Sequence, residues 1–237
     1  MRTAIVTGGS RGIGLGVVKM LVERGYRVIA SYAHDENAAH EAERVTQGTA
    51  LFFKADHSNR TETYRFIDFI RQQTDSIHCV VCNAGTTVRH AFTETSDDDW
   101  DCMMEVAVNA HVILLRELFP LIQDDSRILF TGSAMAIHPH ATVLGYGVSK
   151  AAVHALAKNL TKVFEPKHTT VNVIAPGFVD TEWQKNKPEE IRQNICQKTA
   201  IHRFATIEEI TSAYAFCLEN GFTNGAVIEV NGAYSFR

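Results

Sequence analysis

The stretch Thr3-Ala-Ile-Val-Thr7-Gly8-Gly-Ser-Arg-Gly12-Ile-Gly14 decides how the rest of the chain is read. Thr3–Thr7 is an apolar run of strand length, closed at once by glycines. From Leu15 to Arg24 the apolar residues Val17, Val18, Leu21 and Val22 recur at helical spacing, and Gly25 ends them. A glycine-rich turn framed by a strand and a helix lets the backbone approach a ligand and aims a helix N-terminus at it, which suits a pyrophosphate. The plain alternative is an ordinary tight turn. On either reading the stretch predicts a strand–turn–helix unit.

Outward from it the same alternation continues. Strands are predicted at 27–32, 50–54, 77–82, 127–131, 170–175 and 226–230. Helices are predicted from about Asp35 to Val45, with Asp35 as N-cap, and from Thr61 to Gln73, with Tyr64, Ile67 and Ile70 on the buried face. Two more are predicted, from about Asp98 to Leu121 and from near Tyr146. Alternating strands and helices predict a doubly wound parallel sheet covered by helices on both faces, an α/β Rossmann fold. No linker, repeat or low-complexity stretch divides residues 1–237, so one domain is expected. The segment from Pro176 to about Asn186, within a loop region reaching residue 200, is the expected lid. Its Phe178 and Trp183 either close on a substrate or tuck the loop down.

Composition narrows the function. A net charge of −4 without a Lys/Arg-rich run argues against a nucleic-acid surface. No apolar stretch approaches the ~20 residues of a membrane span. The strand-like start leaves no room for a signal peptide, and five unevenly spaced cysteines suit a reduced, cytoplasmic setting. Cys79-Val-Val-Cys82 lies in a strand-like run, where positions three apart point to opposite faces. Neither it nor the eleven histidines has metal-site spacing, so no metal is expected.

Tyr146-Gly-Val-Ser-Lys150 sets a phenol and an ammonium at i and i+4, one face of a helix. Such a cation lowers a phenol's pKa and suits it to acid–base work, although most Tyr/Lys pairs at this spacing are solvated surface. Ser133, after the apolar run Arg127–Thr131, adds a hydroxyl that could orient a substrate oxygen.

In this order these pieces resemble the short-chain dehydrogenase/reductase family over nearly the whole chain, in a pattern like that of 3-oxoacyl-[acyl-carrier-protein] reductases. Thr7-Gly8-x-x-x-Gly12-x-Gly14, Asn83-Ala84-Gly85, Pro176-Gly177 with Thr181, and Asn231-Gly232 match the family's motifs, although Cys82 replaces an Asn often found there. Asn109, Ser133, Tyr146 and Lys150 match its catalytic tetrad. The resemblance implies hydride transfer between a nicotinamide and a carbonyl or secondary alcohol. Tyr146 would be general acid–base and Lys150 would depress its pKa and bind the ribose. Ser133 would hold the carbonyl oxygen, and Asn109 a relay water. It implies cofactor contacts from Thr7, Gly8, Ser10, Arg11, Gly12, Ile13 and Gly14, then Ser31, Tyr32 and Asp56. Asn83, Ala84, Gly85, Tyr146, Lys150, Pro176, Gly177, Val179 and Thr181 complete the set.

NADP(H) is expected over NAD(H). Twenty positions beyond Gly12 stands Tyr32 rather than an acid, while Arg11, Ser31 and His34 could meet a 2′-phosphate. Asp35 would become the ribose acceptor only with a shifted register. Asp124 and Asp125 replace basic residues expected for docking an acidic acyl carrier protein, leaving Lys167, so a free small carbonyl or alcohol is expected instead. The resemblance also implies a homotetramer or homodimer through the helices bearing Asn109 and Tyr146. The alternatives are an NAD-dependent alcohol dehydrogenase and a catalytically silent NAD(P)-sensing protein. An epimerase or dehydratase would need more chain after Gly177.

Overall fold

The alternation predicted from the sequence carries through the computed structural model, which describes residues 1–138, 143–185 and 187–234. The strands are β1 (Arg2–Val6), β2 (Tyr26–Tyr32), β3 (Ala50–Lys54), β4 (Ile77–Cys82), β5 (Ile122–Thr131), β6 (Thr170–Pro176) and β7 (Val227–Val230). All pairings are parallel, in the order β3-β2-β1-β4-β5-β6-β7. The order reverses between β1 and β4. In an open parallel sheet the crevice at that reversal, outside the carboxyl ends of the strands, is where ligands bind.

The helices that cover the sheet are α1 (Gly12–Glu23), α2 (Glu36–Val45), α3 (Arg60–Gln73), α4 (Asp97–Met104), α5 (Ala110–Leu118) and α6 (Leu144–Val163). After β6 come α7 (Glu182–Lys185), α8 (Glu189–Lys198) and α9 (Ile207–Glu219). β1 shows why the layers close: Ile5 faces a core with Phe66, Leu114 and Val153, whereas Ala4 and Val6 face one with Val17, Leu21 and Tyr214. A strand buried on both faces is apolar without alternation, as its sequence is.

Four expectations need correction. The helix expected from Asp98 to Leu121 is interrupted by a π-helical segment, Glu105–Asn109. α3 buries Thr63, Phe66, Ile67 and Ile70, while Tyr64 is exposed and its hydroxyl accepts from Arg116 Nη2 at 3.1 Å. The spacing 63/66/67/70 is one helical stripe, and residue 64 falls outside it. β5 starts at Ile122, ahead of the expected Arg127, with an irregular register against β4 between Ile77 and Cys79. Finally, α7, α8 and α9 stand where no helix was expected. Asn186, at which the predicted lid loop ended, lies outside the described residues.

Candidate active site

Thr7 follows β1, and the chain turns on Gly8 and Gly12, both at positive φ (65° and 55°), a region open to glycine at little cost. A Cβ on Gly14 would overlap the Gly8 carbonyl oxygen and stand 2.6 Å from Asn83 Nδ2. That amide donates to the Thr7 and Gly8 carbonyls at 3.1 and 3.0 Å, tying the turn to the end of β4. Gly14→Ala should therefore cost about 1–3 kcal/mol through forced backbone displacement, read as a lowered Tm. An unchanged Tm would mean that the turn has slack. No side chain caps the first turn of α1, which starts from an extended Arg11. Uncapped N–H groups at a helix start, framed by glycines, are a donor set that fits a pyrophosphate. Ser10 is buried, and part-buried Ile13 packs into the core beneath.

Of the expected tetrad, Tyr146 and Lys150 share one face of α6, whereas the Asn109 amide is engaged with Glu105. Ser133 follows β5, and its Oγ accepts the Met135 amide at 3.1 Å. Lys150 is buried, with Nζ donating to the Thr131 carbonyl at 2.7 Å. A Cβ on Gly85 would lie 3.2 Å from the same Nζ, so Gly85 gives the ammonium its room. Asn109 closes the π-helical segment, and its Nδ2 donates to Glu105 Oε2 at 2.8 Å. Glu105 also receives Arg60 at 2.7 and 2.9 Å.

The electrostatics differ from the expectation at one point. The Tyr146 phenol is held above its ordinary value, chiefly by burial, with Ser133 pulling the other way. Lys150 Nζ lies 5.8 Å from the centre of the Tyr146 ring. Burial brings the ammonium itself down to about 8, and Nζ is turned to Thr131.

Ser31 also departs from its expected place. It is wholly buried, its Oγ accepting from Gly8 N at 3.2 Å and lying 2.8 Å from His57 Nε2, so it supports the turn from beneath. Part-buried Tyr32 ends β2. Asp35 caps α2 as expected, accepting the Ala38 amide at 2.9 Å, and its other oxygen is 3.9 Å from Arg11 Nη1. Asp56 accepts the Ser58 amide at 2.9 Å and lies 3.4 Å from His34 Nε2.

On the far side, Pro176 pairs with Val230, and Gly177 fits against Asn231, which would stand 2.8 Å from an added Cβ. Val179 is buried and bridged to Ala205, and Thr181 faces Gly12. The two lid aromatics divide the readings offered for them. Phe178 packs on Phe204 and Tyr234 and tucks the loop down. Trp183 stays half exposed, edge-on to Tyr146 with ring centroids 6.3 Å apart.

Two buried histidines beside the site escaped the sequence reading. His154, one turn beyond Lys150, accepts the Ser133 amide at 3.4 Å and fills the space that a Gly132 side chain would take. His111 bonds to Thr7. Local spacing gives no signal for either, because the partners lie 21 and 104 residues away. Cys79 and Cys82 are buried free thiols, pushed up by burial, as inert structural cysteines are. Among the described residues no helix is long and apolar enough to cross a membrane.

The family described as short chain dehydrogenase matches residues 2–192. The 2-dehydro-3-deoxy-D-gluconate 5-dehydrogenase of Pseudoalteromonas atlantica is 30% identical over 100% of this chain and 96% of its own. The cyclic-di-GMP-binding biofilm dispersal mediator protein of Escherichia coli is 31% identical, covering 98% and 97%. The solved structure of BdcA in complex with NADPH superposes with a TM-score of 0.89 at 31% identity, covering 99% of this chain and 94% of that one. With its seven-stranded parallel sheet and the family's motifs at the carboxyl ends of the strands, the chain belongs to the short-chain dehydrogenase family of NAD(P)-dependent oxidoreductases.

Proposed function

We propose that the protein interconverts a small ketone or 3-oxoacyl compound and its secondary alcohol with NADP(H), using Tyr146 as the proton donor and acceptor. The observation that carries this reading is the placement of Tyr146 and Lys150 on one face of α6, with Nζ 5.8 Å from the centre of the Tyr146 ring and beside Gly85, while Ser133 follows the end of β5. Bound at the turn, a nicotinamide supplies or accepts the hydride. The protein's part is placement and a proton. Ser133 and the Tyr146 hydroxyl present two polar groups to one substrate oxygen, and Tyr146 gives that oxygen its proton in reduction or takes it back in oxidation. Lys150 and the N–H groups at the start of α1 serve the ribose and phosphate side. Trp183 walls the site and limits water.

Preference for NADP(H) is supported by Asp35, whose carboxylate is engaged as a helix cap, and by Arg11, which is exposed above it. An arginine fork suits a 2′-phosphate. Arg11→Ala should raise the KM for NADPH about tenfold, equivalent to about 1.4 kcal/mol, and change that for NADH less than twofold. Equal changes for both would remove Arg11 from cofactor choice, and a higher kcat/KM with NADH would make Asp35 the ribose acceptor.

A free substrate is favoured over one on an acyl carrier protein. Asp124 and Asp125 are exposed, while Lys167 is engaged with the Ile122 carbonyl at 2.7 Å and the Phe119 ring. The same reading makes the protein a cytoplasmic homotetramer or homodimer. Exposed Val112 on α5 and Leu144, Val148 and Val163 on α6 offer apolar surface for that contact.

The test is oxidation of NADPH and NADH against a panel of ketones, sugar acids and 3-oxoacyl thioesters. Turnover of at least one with NADPH is the expected result. The relative named for cyclic-di-GMP binding favours a second reading, a nucleotide-binding protein without turnover. Tight NADPH binding with no turnover across the panel would select it.

A further inference from the structure

His111 is buried, 2% exposed, with its ring edge against Phe130. Its Nδ1 lies 2.8 Å from the Ala107 carbonyl, inside the π-helical segment that ends at Asn109. A carbonyl can only accept, so Nδ1 carries the proton and Nε2 is left as an acceptor. At 2.9 Å from Nε2 stands the Thr7 hydroxyl, which must therefore donate to it. Its direction so fixed, the hydroxyl turns its lone pairs to the Asn83 and Ala84 amides, each at 2.9 Å. From Asn83 the bonding runs on: Nδ2 holds the Thr7 and Gly8 carbonyls, and Oδ1 accepts from Thr131 Oγ1 at 2.9 Å. The Thr131 carbonyl receives Lys150.

We propose that His111 is a positioning residue for cofactor binding: its neutral imidazole sets the Thr7 hydroxyl, and through it the glycine turn, while pinning the segment that carries Asn109. Without it the hydroxyl's other acceptor is the Val81 carbonyl at 3.5 Å, a weak bond that turns the lone pairs away from the amides. The Ala107 carbonyl would lose the ring N–H at the same time. The proposal requires that the turn bind a nicotinamide dinucleotide.

The test reads binding rather than turnover. NADPH is titrated into the purified protein and its fluorescence followed, for the parent, His111→Leu, His111→Gln, Thr7→Val and the double variant His111→Leu/Thr7→Val. His111→Leu should weaken binding at least tenfold. His111→Gln, whose amide can donate one way and accept the other, should stay within about threefold of the parent. Thr7→Val should resemble His111→Leu, and the double variant should be no weaker than the worse single one, since both remove one linkage. Affinity in His111→Leu within twofold of the parent, or losses that multiply in the double variant, would overturn the proposal. Should His111→Leu not fold, the comparison of His111→Gln with Thr7→Val still decides, because equal losses in these two would show that the hydrogen-bond geometry of position 111 is not what matters. A parent that binds neither NADPH nor NADH would instead overturn the nicotinamide reading itself.

Discussion

Tyr146→Phe should retain the fold and NADPH affinity and lose carbonyl reduction by about 10²–10⁴-fold, the usual worth of general acid catalysis. The substitution removes one oxygen and little volume. It leaves the ring's edge contact with Trp183 in place. The sign of the phenol's shift adds a second expectation. Burial holds it above the ordinary value, so at neutral pH Tyr146 is protonated and ready as a donor. Reduction should be flat with pH around neutrality, whereas alcohol oxidation, which needs the phenolate, should rise as pH rises. Stopped-flow or steady-state rates in both directions check this. A variant within threefold of the parent, or an oxidation rate that falls with rising pH, would remove Tyr146 as the proton carrier.

Much of this architecture was legible because its signals are local. β1 is apolar on both faces, the glycines that follow it cluster within seven residues, and α1 shows its stripe, so strand, turn and helix could be read within 24 residues. Asp35 was read as a cap from its place before Glu36-Asn-Ala, and its carboxylate does accept the Ala38 amide. α9 was missed although Thr206 and Glu209 form a capping box and Ile210, Tyr214 and Leu218 follow at helical spacing.

Other features have no local signal. Ser31 lay where a ribose contact was expected, but which way a strand-end side chain points depends on register against β1 and β3. The π-helical segment shows no signature in the sequence. The bonds of His111 to Thr7 and His154 to Ser133 join residues that only the folded sheet brings together. The pairing of Tyr146 with Lys150 was read correctly as one helical face, yet the ammonium's orientation depends on the Thr131 carbonyl, which the spacing could not reveal.

That orientation leads to the second large effect: Lys150→Met should cost activity and improve stability. Lys150 is 3% exposed, and burial brings its ammonium to about 8 from an ordinary 10.5. The shift corresponds to about 3 kcal/mol of penalty on the charged form. Below pH 8 both the folded and the unfolded chain hold the proton, so the whole penalty bears on the folded state. Between about 8 and 10.5 the folded chain sheds its proton first, and stability rises with pH; above that both are neutral and the effect is spent. Methionine fills a similar volume without charge but leaves the Thr131 carbonyl unpaired, which costs about 1–3 kcal/mol. The net gain at pH 7 should therefore be about 1 kcal/mol, raising Tm by about 2–4 °C, and the parent's rise in stability from pH 8 to 10.5 should flatten. NADPH-dependent turnover should fall by about 10²-fold or more through loss of the ammonium from the ribose side. Calorimetry across that pH range, together with the turnover assay, separates the effects. A Tm lowered at pH 7 would mean that the Thr131 bond outweighs the burial penalty, and unchanged turnover would make Lys150 a structural residue only.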